Sequence, residues 1–265
     1  MLMPTVAAIQ MCSSGNVNEN LQTASQLIHE ASNNNAKLIV LPEMFAIMGN
    51  TAFDKITVSE ESGSGKIQHC LSQLAKKLNV WIVGGTIPIA CQNKNKVRAA
   101  CIVYNNSGES VARYDKIHLF DVTLSQNEFY CESDTTEPGS EIIVIDTPFG
   151  KLGLTVCFDI RFSDLFLKLA TLGAEIIAIP SAFTAKTGQA HWELLTRARA
   201  VETFSYVIAA AQGGKHANSR ETFGHALIVD PWGTILDEIK TPGNNIAYAE
   251  IDLEKLRKIR QSIPI

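Results

Sequence analysis

Along this chain, short continuous apolar runs alternate with stretches in which apolar residues recur every three or four positions. Residues 5–10 form the first run and read as a buried strand. After a polar turn, Leu21, Ala24, Leu27, Ile28 and Ala31 recur at helical spacing until Asn33, Asn34 and Asn35 end the pattern. A second strand over 37–41 stops at Pro42 and Glu43. A second helix carries Ile67, Leu71, Leu74, Ala75 and Leu78, and a third strand spans 80–86. Residues 97–104 and 110–116 pair about Asn105 to Gly108, a hairpin turn sequence. Residues 121–139 read as an irregular loop containing acidic residues, and loops of that length are usually functional or disordered. A hairpin over 141–145 and 151–156 then delivers Cys157, and Ser163 and Asp164 look like a helix start before Leu165, Leu167, Leu169 and Ala170. The remainder reads as a strand (174–181), a helix (191–205), a strand (206–212), a polar loop from Gly213, a hairpin (223–230 and 234–239), a strand (246–251) and a short basic helix (253–260). This order predicts a layered α/β fold with a mixed sheet or two packed sheets, rather than a simple parallel barrel. No linker or internal repeat interrupts it, so one domain over 1–265 is expected.

Composition narrows the picture further. With 265 residues, 46% hydrophobic and 19% charged, the chain is long enough for a large core. A net charge of −4 without blocks of one sign argues against nucleic-acid binding. No run is long enough to span a bilayer, and residues 1–10 lack the pattern of a signal peptide. The six cysteines show no CxxC pairing, which predicts reduced thiols in a cytosol and neither a disulfide scaffold nor a structural zinc site.

Three strand-end residues carry candidate chemistry. Cys157 sits on a strand-to-helix elbow, where a helix N-terminus would favour its thiolate; a buried core cysteine is the plainer alternative. Glu43, pushed outward by Pro42, faces a cleft or else solvent. Lys116, followed by Ile117, Leu119 and Phe120, is a partly buried amine or a surface one.

In their contexts, residues 41–45, 114–119 and 156–162 resemble the nitrilase, or carbon–nitrogen hydrolase, superfamily, and the likeness runs from the first strand to the last helix. The resemblance implies a four-layer α-β-β-α sandwich with mixed sheets and a Glu-Lys-Cys triad on Glu43, Lys116 and Cys157. It also implies a second acid at Glu132 that orients Lys116, no metal, no organic cofactor, and a homodimer or larger homo-oligomer. A free thiol is mostly protonated at neutral pH. Glu43 would therefore take its proton, and Lys116 with the Phe158 N–H would stabilise the oxyanion of an attacked amide.

Residues 130–133, 181–183, 188–193 and 209–216, with Arg220 and residues 223–225, resemble the deaminated glutathione amidase branch. That implies a small acidic amide as substrate, hydrolysed through a thioester. Lys215, His216 and Arg220 would hold its distant carboxylate or else form a solvated basic loop. Phe45, Phe158 and Phe183 would wall the pocket, Ser181 would line it, and Arg161 would brace the elbow or reach a carboxylate. Gln189 departs from a common proline of the branch, and the stop at residues 263–265 leaves its usual short basic tail missing or trimmed. Alternatives are an ω-amidase acting on α-ketoglutaramate or α-ketosuccinamate, another small-amide or nitrile hydrolase, and a non-catalytic interaction module. His118, His191 and His225 are expected in core or supporting positions, and Arg199 and Glu202 as a packed ion pair.

Overall fold

A computed structural model describes residues 3–125 and 128–263; the terminal residues 264–265 lie outside that range. The chain begins with β1 (Thr5–Met11), α1 (Val17–Asn33), β2 (Ala36–Val40), α2 (Asp54–Thr57), α3 (Lys66–Leu78), β3 (Trp81–Val83), β4 (Ile87–Ala90), β5 (Val97–Tyr104) and β6 (Ser110–Asp115). It continues through β7 (Asp121–Ser125), β8 (Glu128–Cys131), β9 (Val144–Thr147), β10 (Gly150–Leu154), α4 (Ser163–Thr171), β11 (Ile176–Ala178) and α5 (Ala185–Thr203). The last elements are β12 (Tyr206–Ala209), β13 (Ala211–Lys215), β14 (Glu221–Phe223), β15 (Leu227–Val229), β16 (Ile235–Glu238), β17 (Asn245–Glu250) and α6 (Leu253–Ser262).

Two mixed sheets stack face to face with helices outside them, the four-layer α-β-β-α arrangement. One sheet runs β14-β13-β1-β2-β3-β5-β4, with β17 also on β1 and β6 on β5; the other runs β16-β15-β12-β11-β10-β9. Side-chain alternation along the strands builds the layers. From β1, Val6 and Ala8 enter the core shared with the second sheet, whereas Ala7, Ile9 and Met11 pack against α1 and α3. Leu38 and Val40 on β2 face the first cluster, and Ile39 faces the second. Leu165, Phe166 and Leu169 of α4 and Trp192 and Ala200 of α5 close the far side of the second sheet.

Four segments differ from the sequence reading. The expected loop at 121–139 contains the β7–β8 hairpin and a short 3-10 turn at Glu132–Asp134. The strand read over 206–212 is two strands, and the chain passes from one sheet to the other at Ala210. Helix α5 starts six residues before His191, capped by the Thr184 hydroxyl, and Gly188 blurs its apolar period while packing tightly on Phe223. Ser163 lies inside α4; the capping position is Phe162, whose side chain makes no capping bond.

The parallel strands β10, β11 and β12 end near the sheet crossing. There the Ser181 N–H donates to Ala210 O and its carbonyl accepts from the Gln212 N–H, both at 2.9 Å. In α/β sheets, such strand ends are where a crevice opens.

Candidate active site

Cys157 leaves β10 through an extended residue, Val156, and opens a 3-10 turn that ends at Arg161. Its N–H donates to Pro180 O at 2.9 Å, which ties the turn to the end of β11. Its φ of 48° lies in the left-handed region, a conformation that costs a non-glycine residue energy and that surrounding contacts must impose. Buried Asp159 supplies such contacts. Its carboxylate accepts from the Val156 N–H at 2.8 Å, the Tyr114 hydroxyl at 2.7 Å and the His118 N–H at 3.0 Å, with His118 Nδ1 at 2.7 Å.

The thiol's protonation state differs from the sequence expectation. Cys157 opens only a short 3-10 turn, and the helix that follows it, α4, begins six residues later, so the N-terminus of α4 does not sit at Cys157. Burial, and then the charge of Glu43, pushes the thiol well above its usual pKa, with Lys116 pulling the other way. The resting group is a thiol, and a base must take its proton.

Glu43 follows β2 at a tight turn. Its carbonyl accepts from Gln212 Nε2 at 3.0 Å, and the next residue donates its N–H to the Thr86 hydroxyl at 2.8 Å. Lys116 directly follows β6; its N–H donates to Ala99 O and its carbonyl accepts from the Gly139 N–H. The Lys116 ammonium, 2% exposed, donates to Glu43 Oε1 at 2.7 Å and to Glu132 Oε2 at 2.8 Å. Burial alone would depress its pKa, but Glu132 and Glu43 outweigh burial and hold it well above the ordinary lysine value. Glu132 also accepts from the Phe120 N–H at 2.7 Å. Burial would raise this carboxyl, yet Lys116 wins and keeps it below its usual range.

These four residues open onto a cavity of about 250 Å³. Of the residues singled out from sequence, Phe158, Phe183 and Arg220 also line it. Phe45 does not: it is fully buried in the cluster under α1 and α3. Ser181 is buried at the sheet crossing, where its hydroxyl donates to Ile179 O at 3.2 Å. Lys215 is exposed on β13 and lies outside the lining. His216 is buried, with Nδ1 2.8 Å from Ser13 O and Nε2 2.7 Å from the Thr222 hydroxyl, and burial pushes its pKa down. Both ring nitrogens are engaged, so it supports the loop rather than meeting a ligand. Arg161 stacks over Phe158 and Phe183 at 5.9 and 5.4 Å and reaches His191 Nδ1 at 3.2 Å, behind the cavity wall.

The cavity also holds residues the sequence reading passed over: Met44, Met48, Phe120, Tyr130 and Lys55. Lys55 sits on α2, a helix of four residues, too short for any periodic signal. Two of the three histidines hold supporting positions, His118 on Asp159 and stacked on Phe162, His225 on Glu238 and stacked on Phe223, while His191 is exposed beside Arg161. Arg199 pairs with Glu202 and donates to Ile160 O at 2.7 Å, bracing the turn after Cys157. Among the described residues, no helix is long and apolar enough to cross a membrane.

Residues 5–261 match the carbon-nitrogen hydrolase family model. The chain is 39% identical over 262 residues to the deaminated glutathione amidase of Yersinia enterocolitica, covering 98% of this chain and 91% of that protein. It is 40% identical over 267 residues to the Homo sapiens protein of the same name, covering 99% and 81%. The fold superposes on Saccharomyces cerevisiae Nit3, a member of branch 10 of the nitrilase superfamily, with a TM-score of 0.88 at 34% identity, covering 100% and 95%. It superposes on the C. elegans NitFhit protein at 0.93 and 33%, where this whole chain spans 64% of the longer one.

Proposed function

Because the chain belongs to the carbon–nitrogen hydrolase family, we propose that it hydrolyses a small acidic amide of the deaminated glutathione type through a thioester on Cys157. One observation carries this reading: a buried ammonium is clamped between two carboxylates, at 2.7 and 2.8 Å, on the wall of a cavity that also presents a buried thiol.

In the first step Glu43 takes the Cys157 proton as the sulfur attacks the carbonyl carbon. A C–S bond forms, and the carbonyl electron pair moves to oxygen. Lys116 and the Phe158 N–H stabilise that oxyanion. The C–N bond then breaks, and the amine leaves with the proton held by Glu43. Water enters, Glu43 takes one of its protons, and the hydroxide adds to the thioester. Collapse releases the acid and returns a proton to sulfur. Glu132 keeps Lys116 charged and aimed throughout. An interaction module that binds without catalysis would have no use for such costly buried charges.

Arg220 on the cavity wall favours an acidic substrate, as do the two amidase relatives by their names. Leu167 on α4, with Leu194 and Val201 on α5, is exposed at 43% or more of its surface, an apolar face that a second copy in a homodimer would cover. Light scattering measures that assembly. A cytosolic setting suits the six free thiols. The substrate is tested by hydrolysis of deaminated glutathione beside α-ketoglutaramate, with Cys157→Ala as the blank. Preference for the first supports the proposal. Preference for the second makes the enzyme an ω-amidase, and activity that survives in the blank refutes the nucleophile.

A further inference from the structure

We propose that Lys55 and Arg220 together form a carboxylate subsite in the cavity of Cys157, and that this subsite selects amides bearing an acid group over neutral amides of the same length. The proposal rests on the amide-hydrolase reading above and names the groups that set its substrate class.

Among the described residues, five charged side chains line the cavity: Glu43, Glu132, Lys116, Lys55 and Arg220. Both carboxylates are already committed to Lys116. Among the described residues, the two remaining cations hydrogen-bond only to neutral groups. Lys55 donates to the Thr136 hydroxyl at 2.6 Å. Arg220 donates to Ala182 O at 3.0 Å, points at the sulfurs of Met44 and Met48 at 3.8 and 4.0 Å, and lies 5.4 Å from the Tyr130 ring centroid. Its buried Nε has no hydrogen-bond partner among the described residues. Burial depresses the Lys55 pKa; Glu132 and Glu43 oppose that shift, while Lys116 and Arg220 add to it.

The cavity therefore carries one more positive charge than negative, between apolar walls that include Met44, Met48, Phe120, Tyr130, Phe158 and Phe183. Charge left unpaired in such surroundings is costly, and a bound anion would remove the cost. Lysine and arginine are both donors without acceptors, so the missing partner is an acceptor with negative charge. A carboxylate has two oxygens to divide between them, and a neutral ligand would leave both cations unpaired.

The test compares glutaramate with pentanamide, amides of one chain length that differ by a carboxylate. In the wild type, kcat/KM is expected to favour glutaramate. Lys55→Met should lower kcat/KM for glutaramate about 10- to 100-fold, the worth of a charge-assisted hydrogen bond, mainly through KM. Pentanamide should change by less than about threefold, and Lys55→Arg should restore the preference. An equal fall on both amides, seated in kcat, would make Lys55 a support for Lys116 and overturn the subsite. No change on either would overturn it too.

If the wild type hydrolyses neither of these amides, turnover of deaminated glutathione decides the amide-hydrolase reading, and binding decides the subsite. Glutarate should slow alkylation of Cys157 by iodoacetamide in the wild type, and about tenfold more of it should be needed in Lys55→Met. Absence of protection in the wild type refutes the subsite.

Discussion

The Tyr114 hydroxyl donates to Asp159 Oδ2 at 2.7 Å, and this bond joins the strand that leads into Lys116 to the turn that opens at Cys157. Burial, and then the charge of Asp159, raises the tyrosine pKa, so the phenol stays a donor. Asp159 is fully buried and receives the Val156 and His118 N–H groups as well. Asp159→Asn places an amide NH₂ where donors already converge. We expect a loss of about 1–3 kcal/mol in stability, measured by urea unfolding, with kcat falling more than KM rises. Tyr114→Phe should cost about 1 kcal/mol.

Lys116 depends on both its carboxylates. Glu132→Gln leaves a buried ammonium with one anion in place of two, and about 3–5 kcal/mol of stability should go. Glu132 is held below the ordinary carboxylate range in the folded protein. Its contribution is thus present above the unfolded pKa and is lost as pH falls through the lowered one. The acid limb of a stability–pH curve should accordingly flatten in Glu132→Gln. Lys116→Met, which removes one proposed oxyanion donor, should lower kcat about 10²- to 10³-fold.

The thiol of Cys157 is raised by burial and by Glu43 and lowered by Lys116. Two substitutions should therefore move it in opposite directions. In a pH profile of iodoacetamide alkylation followed by mass spectrometry, Glu43→Gln should shift the midpoint to lower pH and Lys116→Met to higher pH. Shifts of the same sign would mean that the two charges do not act directly on the sulfur.

Gly139 lies against the strand end that carries Lys116: a Cβ there would sit 2.2 Å from Asp115 O, while its N–H donates to Lys116 O at 2.9 Å. Gly139→Ala should push Asp115 and Lys116 out of register. The expected cost is about 1–3 kcal/mol, with a fall in kcat that Gly63→Ala, where no atom lies within 4 Å but φ is 82°, does not share. Thermal unfolding and steady-state rates check both variants.

The layers were legible because β1 and β2, buried on both faces, read as continuous apolar runs, and α1 and α3 bury residues at a period of 3.6, which a sequence displays directly. Glu43, Lys116, Glu132 and Cys157 were legible through their neighbours in the motif rather than through any pattern of burial. The rest of the cavity depends on chain reversals. The switch of sheets at Ala210 falls inside an unbroken apolar run, so nothing local marks it. It turns Lys215 and His216 away from the cavity and leaves Arg220 on its wall. As a large apolar side chain Phe45 reads as a pocket wall, but the tight turn at Met44, with φ of 57°, sends it into the core. Lys55 comes from a helix of one turn, and only the fold brings it to the cavity.

The central claim is an acyl group carried on the sulfur of Cys157. Rapid acid quench during turnover of deaminated glutathione, followed by peptide mass spectrometry, measures it directly. The expected result is a peptide containing Cys157 that gains the mass of the acyl group, decays as the acid appears, and is absent in Cys157→Ala, which has no activity. Steady hydrolysis with no adduct on that peptide, or a Cys157→Ala enzyme that still turns over, would contradict the account.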